Sequence, residues 1–62
     1  MEIYTQYIYE KKWTKTDEKE ALRIINEEMP ETDDIATFDY ILGELKKGKM
    51  ITLASCRFKA FN

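Results

Sequence analysis

The residue types that most often perform chemistry are scarce in this sequence. It contains no histidine, the commonest general base and metal ligand in proteins. Its single cysteine, Cys56, would need an adjacent base or a lowered pKa to act as a nucleophile, and its neighbours on the predicted strand face are Ala54 and Phe58. We therefore expect Cys56 to be a buried, inert thiol and the protein to have no catalytic residue.

No motif for phosphate or metal binding is present either. Gly43 and Gly48 form neither of the glycine-rich phosphate loops, and Ser55 lacks the flanking glycines of a nucleophile elbow. A calcium site among the acids is an alternative, but the Asp-x-Asp-x-Asp-Gly spacing of an EF-hand is missing. We predict a protein that is not an enzyme and has no cofactor and no metal.

Charge is strongly segregated along the 62 residues, although the net charge is only −2. Residues 17–44 contain ten acids and two bases and carry −8, whereas residues 45–62 contain five bases and no acid and carry +5. Residues 1–16 contribute the remaining +1. The near-neutral total therefore hides an acidic middle segment and a basic end, which predicts a strongly dipolar molecule.

The densest acidic run lies in residues 27–34. Charge runs are usually solvated surface, but a negative face of this kind also suits a basic protein partner. The leading hypothesis is a non-catalytic protein-interaction module, an inhibitor or adaptor that docks on a basic partner surface through this acidic helical face. The residues assigned to it are Glu27, Glu28, Glu31, Asp33 and Asp34.

Aromatic and basic residues alternate near both ends of the chain, which gives a second hypothesis from another class. Proteins that bind single-stranded nucleic acid stack bases on strand aromatics while cations follow the phosphates. The alternative function is therefore a weak single-stranded nucleic-acid-binding protein. The residues assigned to this face are Lys11, Trp13, Lys15, Arg57 and Lys59.

Both ends of the chain have strand character. Residues 2–15 are rich in β-branched and aromatic types, and they fit either one bent strand or a hairpin that turns at residues 10–12. Residues 50–61 predict a final strand. Its uncharged face, the expected core face, carries Met50, Thr52, Ala54, Cys56, Phe58 and Ala60.

The middle of the chain predicts two amphipathic helices. Thr16 or Asp17 caps the first helix, Pro30 ends it, and Thr32, Asp33 or Asp34 caps the second, which Gly48 ends. Apolar residues recur at helical spacing in both. The stripes are Ala21, Leu22, Ile24, Ile25 and Met29 in the first helix and Ile35, Phe38, Ile41, Leu42 and Leu45 in the second.

These elements predict a single α+β domain over residues 1–62. Two helices packed on one face of a two- to three-stranded antiparallel sheet, in the order β(β)ααβ, bury both apolar stripes. A sheet this small leaves unpaired edges, so a homodimer that joins or covers the sheets is a further hypothesis.

In size, acidic helices and aromatic first strand, the chain is similar to the small proteins encoded by phages and other mobile elements of low-GC bacteria. No motif is carried over from them. The sequence has no apolar run of the roughly 18 to 20 residues that span a membrane, no secretory signal and one unpaired cysteine. We therefore expect a cytoplasmic protein without membrane contact.

Overall fold

The computed structural model describes residues 1–61, which form two helices and a four-stranded antiparallel sheet. The strand order across the sheet is β2-β1-β4-β3, so the two long strands are central neighbours. The α+β class is confirmed, and the predicted strand count of two or three is corrected to four. The elements are β1 (Glu2–Tyr7), β2 (Thr14–Thr16), α1 (Glu18–Glu28), α2 (Asp34–Lys46), β3 (Ile51–Leu53) and β4 (Cys56–Phe61).

The first part of the chain is a hairpin, which decides between the two structures that the sequence left open. β1 and β2 pair antiparallel, with Tyr4 opposite Lys15, and residues 8–13 connect them. The chain turns directly after β1. There the Tyr7 N–H donates to Glu10 Oε1 and the Glu10 N–H donates to the Tyr7 carbonyl, each at 2.9 Å.

The single strand predicted over residues 50–61 is wrong, because the chain reverses within it. β3 and β4 pair antiparallel across a two-residue turn formed by Ala54 and Ser55, with Leu53 opposite Cys56. Ala54 has a φ of +53°, a left-handed conformation that glycine adopts more readily than alanine. Serine is common in turns but alanine is not, and no Gly, Asn, Asp or Pro accompanies Ser55, so the sequence contains only a weak signal for this turn.

The reversal also changes which residues of this segment face the core. Met50, Thr52 and Ala54 were predicted to be buried, but they are exposed. Residues opposite each other across an antiparallel pair lie on the same face, so the turn places Ile51 and Leu53 on the core side. The prediction failed because the alternation of apolar residues changes phase at the turn.

Helix α1 begins at a predicted cap residue and ends one residue before the predicted end at Met29, which is its C-cap. Asp17 is the N-cap, and its Oδ1 accepts from the Glu20 N–H at 2.8 Å. The Glu20 carboxylate accepts from Arg23 instead of returning to the Asp17 backbone, so only half of a capping box forms. The helix ends at Glu28, two residues before Pro30.

Helix α2 is also capped at both ends. Asp33 is the N-cap, and its Oδ1 accepts from the N–H groups of Ile35 and Ala36 at 3.1 and 3.2 Å. At the other end, Gly48 has a φ of +84° and occupies the left-handed position that commonly follows a helix. These contacts fix α2 between residues 34 and 46.

The core lies between the two helices and one face of the sheet. Ile35 and Met29 belong to the predicted stripes, yet they are 68% and 36% exposed. Both lie near the α1–α2 connection, at the ends of their helices, where fewer neighbours cover them. The buried apolar residues are Ala21, Ile24, Ile25, Phe38, Ile41, Leu45, Cys56 and Phe58.

Candidate functional site

The face of the sheet opposite the helices collects aromatic and basic side chains. Tyr4 of β1 lies opposite both Lys15 of β2 and Lys59 of β4, so these three residues form a row across three adjacent strands. The row two residues along pairs Gln6 with Arg57. We call this surface the open sheet face. Its residues are Glu2, Tyr4, Gln6, Trp13, Lys15, Arg57, Lys59 and Phe61.

Aromatic rings and a lysine contact each other on this face. The Lys59 Nζ lies 5.7 Å from the centroid of the Trp13 ring and 4.7 Å from that of Phe61. Tyr4 meets Phe61 edge to face, with 4.8 Å between ring centroids. A cation over a ring contributes about 0.5–1 kcal/mol at an exposed site, so these contacts order the cluster without burying it.

The charges of the open sheet face are predominantly positive. Its one acid, Glu2, accepts from Lys15 with 2.9 Å between Oε1 and Nζ, and this contact lowers the pKa of Glu2 and raises that of Lys15. Arg57 donates from Nη1 to the Gln6 Oε1 at 3.2 Å. With Lys59, the face carries three cations and one carboxylate.

Four of the five residues of the nucleic-acid hypothesis therefore share one surface. Trp13, Lys15, Arg57 and Lys59 lie on the open sheet face, whereas Lys11 lies in the connection between β1 and β2. Tyr4 was missing from that set. The alternation of β1 indicates that Tyr4 points to the opposite face of the strand from Ile3 and Thr5. Only the strand register shows that it lies between Lys15 and Lys59.

Glu28 of the acidic segment makes a contact between the end of α1 and the β3–β4 turn. Its Oε1 accepts from the Ser55 N–H at 2.9 Å and also from the Ser55 hydroxyl. These two hydrogen bonds lower the pKa of the Glu28 carboxyl. Because Ser55 is the second residue of the β3–β4 turn, the contact fastens the end of α1 to a turn whose first residue, Ala54, is in the left-handed region.

Three further acids of this segment also have partners within the chain. Asp33 caps α2, as described above, and Asp34 Oδ1 accepts from the Ile35 N–H at 2.8 Å. Glu27 Oε1 lies 2.6 Å from an Arg23 guanidinium nitrogen on the same helix. Most of the acidic segment thus stabilises helix ends and a turn, which is a structural use of the charge.

Glu31 differs from the other four acids. In the part of the chain that the structure describes, its carboxylate makes no hydrogen bond or ion pair with another side chain or with the backbone. It lines a shallow pocket of about 240 Å³ at the α1–α2 connection. Glu28, Met29, Pro30 and Thr32 form the rest of that pocket, so an apolar patch lies beside acidic groups.

Cys56 lies in the core and is fully buried. Burial, and to a lesser extent the nearby Glu28 charge, raises the pKa of the Cys56 thiol to about 11. The thiol therefore stays protonated at neutral pH, where it is a poor nucleophile. Within residues 1–61, no group of three or more cysteine or acidic side chains is arranged to hold a metal ion.

None of the helices formed by residues 1–61 has the length and apolar character needed to cross a membrane. Comparison with protein-family models, with curated proteins and with solved structures finds no match. The fold and the site together define a small α+β domain with one open, basic and aromatic sheet face.

Proposed function

We propose that this protein is a non-catalytic binding module whose open sheet face binds single-stranded nucleic acid. The observation that carries the proposal is the row Lys15–Tyr4–Lys59, flanked by the rings of Trp13 and Phe61. Bases stack on accessible aromatic rings, and cations beside those rings contact the phosphates. Phe61 is exposed, and Tyr4 and Trp13 are half-buried. This surface offers both kinds of group within neighbouring strands.

The charge distribution favours a weak and oriented interaction. The acidic residues lie mainly on and between the helices, on the side of the sheet away from the open face. A polyanion is therefore repelled by one side of the molecule and attracted by the other. Because the face has only three cations, we expect binding to be weak, and because those cations contact phosphates, we expect it to weaken further as salt rises.

The test uses the fluorescence of Trp13, which is the only tryptophan. Titration with a single-stranded oligonucleotide of about ten nucleotides, within the usual site size, is expected to quench that fluorescence. For three phosphate contacts, a four-fold rise in salt is expected to weaken the affinity about twenty-fold, given a slope of about −0.7 per contact. Unchanged fluorescence at low salt would contradict the proposal.

A matched pair of variants distinguishes binding by the open sheet face from binding that depends only on the net charge of the protein. Lys59→Gln removes a cation from the open sheet face, and Lys19→Gln removes one from the exposed surface of α1. We expect Lys59→Gln to weaken binding and to lower the salt slope by about 0.7, the contribution of one phosphate contact. Equal effects of the two variants would show that binding does not use the open sheet face.

A second candidate function is docking on a basic protein surface through the acidic segment. The observation that favours it is the pocket beside Glu31, where Met29 and Pro30 supply apolar surface next to a carboxylate without an intramolecular partner in the described chain. Such a site suits a lysine or arginine side chain, whose apolar stem can pack on Met29 and Pro30 while its cationic tip reaches the Glu31 carboxylate.

The structure also indicates how the second candidate must be tested. Reversing all five acids would remove the α2 cap at Asp33 and the Glu28 contact, so lost binding could reflect lost folding. Glu31→Gln removes the charge of interest alone, and Glu18→Gln on α1 is the matched control. Weaker binding of a lysine-rich peptide by the Glu31 variant only would support the candidate, and equal binding by both would exclude it.

A further inference from the structure

Helix α2 presents apolar surface on the side that faces away from the core. Tyr40 is 63% exposed on this side, and Ala36 and Gly43 are exposed beside it. Ala36, Tyr40 and Gly43 recur at i, i+4 and i+7, so they share one side of the helix. The opposite side carries Phe38, Ile41 and Leu45, which are buried. α2 thus has a row of uncharged residues, Ala36, Tyr40 and Gly43, on the side that the chain leaves uncovered.

Gly43 has no role in packing within the chain. A glycine inside a helix costs about 1 kcal/mol relative to alanine. A Cβ added at Gly43 would meet no atom within 4 Å, so no neighbour in the chain requires its absence. The glycine instead leaves a position without a side chain on the exposed side, one turn from the end of α2, where another backbone can approach closely.

Charges beside this surface match those of a second copy. Asp39 and Lys46 are exposed and lie seven residues apart, on the same edge of the exposed side. When two such helices pack antiparallel, equal edges face each other, and an acid near the centre of one helix meets a base toward the end of the other. The exposed side of α1, in contrast, carries Lys19 and Arg23. Arg23 is already ion-paired with two glutamates of its own helix, so that side offers no comparable uncharged surface.

We infer that the exposed side of α2 is an interface with a second copy of this chain. The two α2 helices cross antiparallel near Gly43, and Asp39 of each copy lies beside Lys46 of the other. This contact is isologous, so a two-fold axis closes it as a dimer. The dimer leaves both open sheet faces accessible on its outer sides, and it is independent of the proposed nucleic-acid binding.

The dimer is expected to be weak. The 13 residues of α2 span about 20 Å, and a single helix pair of that length buries less than the roughly 1,200 Å² that specific, stable interfaces require. Sedimentation equilibrium over a range of micromolar to millimolar concentrations should therefore show a shift from the 7.4 kDa monomer toward twice that mass. A single 7.4 kDa species at every concentration would overturn the inference.

Two sets of variants test the geometry. Gly43→Leu fills the position without a side chain, and we expect it to weaken dimerisation at least ten-fold while raising the melting temperature of the monomer, because leucine favours helix more than glycine. Asn26→Leu, at an exposed position of α1, is the control for an added apolar side chain and should leave dimerisation unchanged. A dimer that survives Gly43→Leu would place the interface elsewhere, for example at a sheet edge.

The charge contact has its own test. Asp39→Lys places lysines opposite each other and should weaken the dimer, and the double variant Asp39→Lys with Lys46→Asp should restore it. Restoration occurs only if both positions meet across a two-fold axis. A double variant as weak as the single one would contradict the antiparallel arrangement, and circular dichroism spectra that match the native protein would show that the helices remain folded.

Discussion

The two charged regions of this molecule differ in what their charges contact. In the acidic segment of residues 27–34, four of five carboxylates contact helix ends, a turn or a neighbouring arginine. On the open sheet face, two of the three cations contact neutral groups instead, namely the Trp13 and Phe61 rings for Lys59 and the Gln6 amide for Arg57. The carboxylates of the acidic segment are thus mostly used in contacts within the fold, whereas Arg57 and Lys59 on the open sheet face are not paired with an acid in the described chain.

Nucleic-acid binding should respond most strongly to charge reversal on the open sheet face. Reversal of the three cations of the open sheet face to glutamate (Lys15, Arg57 and Lys59) should abolish oligonucleotide binding, because both the phosphate contacts and the local sign of the charge are lost. Neutralising Glu27 and Glu31 to glutamine should leave the affinity equal or slightly higher, since it removes only repulsion. Fluorescence titration at low salt measures the oligonucleotide affinity of both variants. An equal loss of affinity in the two would show that the open sheet face binds no more nucleic acid than the acidic segment does.

The next effect separates two glutamates of the same acidic segment. Glu28→Ala removes the acceptor for the Ser55 N–H and hydroxyl, so we expect the melting temperature to fall by several degrees. Glu31→Ala removes a carboxylate that makes no such contact in the described chain, and the free energy of unfolding should change by less than about 0.5 kcal/mol. Thermal melts followed by circular dichroism compare the two variants directly. Equal melting temperatures would show that the Glu28 contact does not stabilise the fold.

A smaller effect of opposite sign is expected at the β3–β4 turn. Ala54→Gly should stabilise the protein by about 1 kcal/mol, because a non-glycine residue in the left-handed region costs roughly that amount. If Glu28 offsets this strain by holding Ser55, Glu28→Ala should cost less in the Ala54→Gly background than in the native chain. Strictly additive melting temperatures in the double variant would indicate that the turn and the Glu28 contact are independent.

The smallest effect is on the pH dependence of stability. The pKa of Glu28 in the folded state lies below its ordinary value of 4.5, because Ser55 donates to the ionised form. Its contribution to stability is therefore complete above pH 4.5 and is lost as the pH falls through the lower, folded-state pKa. We expect the melting temperature to fall on acidification, and to fall less in Glu28→Gln, whose side chain does not titrate. Identical acid profiles would contradict this role of Glu28.

The sequence predicted the elements that depend on local contacts. Asp17 caps α1, Asp33 caps α2, and Pro30 and Gly48 follow the helix ends, because each of these residues acts on backbone within one turn. The α+β class followed from the same local patterns. Even the burial of Cys56 could be read from the apolar residues around it.

What the sequence could not supply depends on contacts between distant segments. The β3–β4 turn at Ala54 and Ser55 is held by Glu28, which lies 27 residues before Ser55 in the chain, and no local motif reveals that contact. The position of Tyr4 between Lys15 and Lys59 likewise depends on strand register across β2, β1 and β4. Register is a tertiary property, so the candidate site could be listed only in part.

Amide NMR titration with a short single-stranded oligonucleotide at low salt would locate bound nucleic acid on the molecule residue by residue. Chemical-shift changes are expected in β1, β2 and β4 around Tyr4, Lys15 and Lys59, together with the Trp13 indole N–H. Residues 27–34 should stay unperturbed. Changes confined to the helices, or no changes at any residue, would contradict the assignment of the open sheet face as the binding surface.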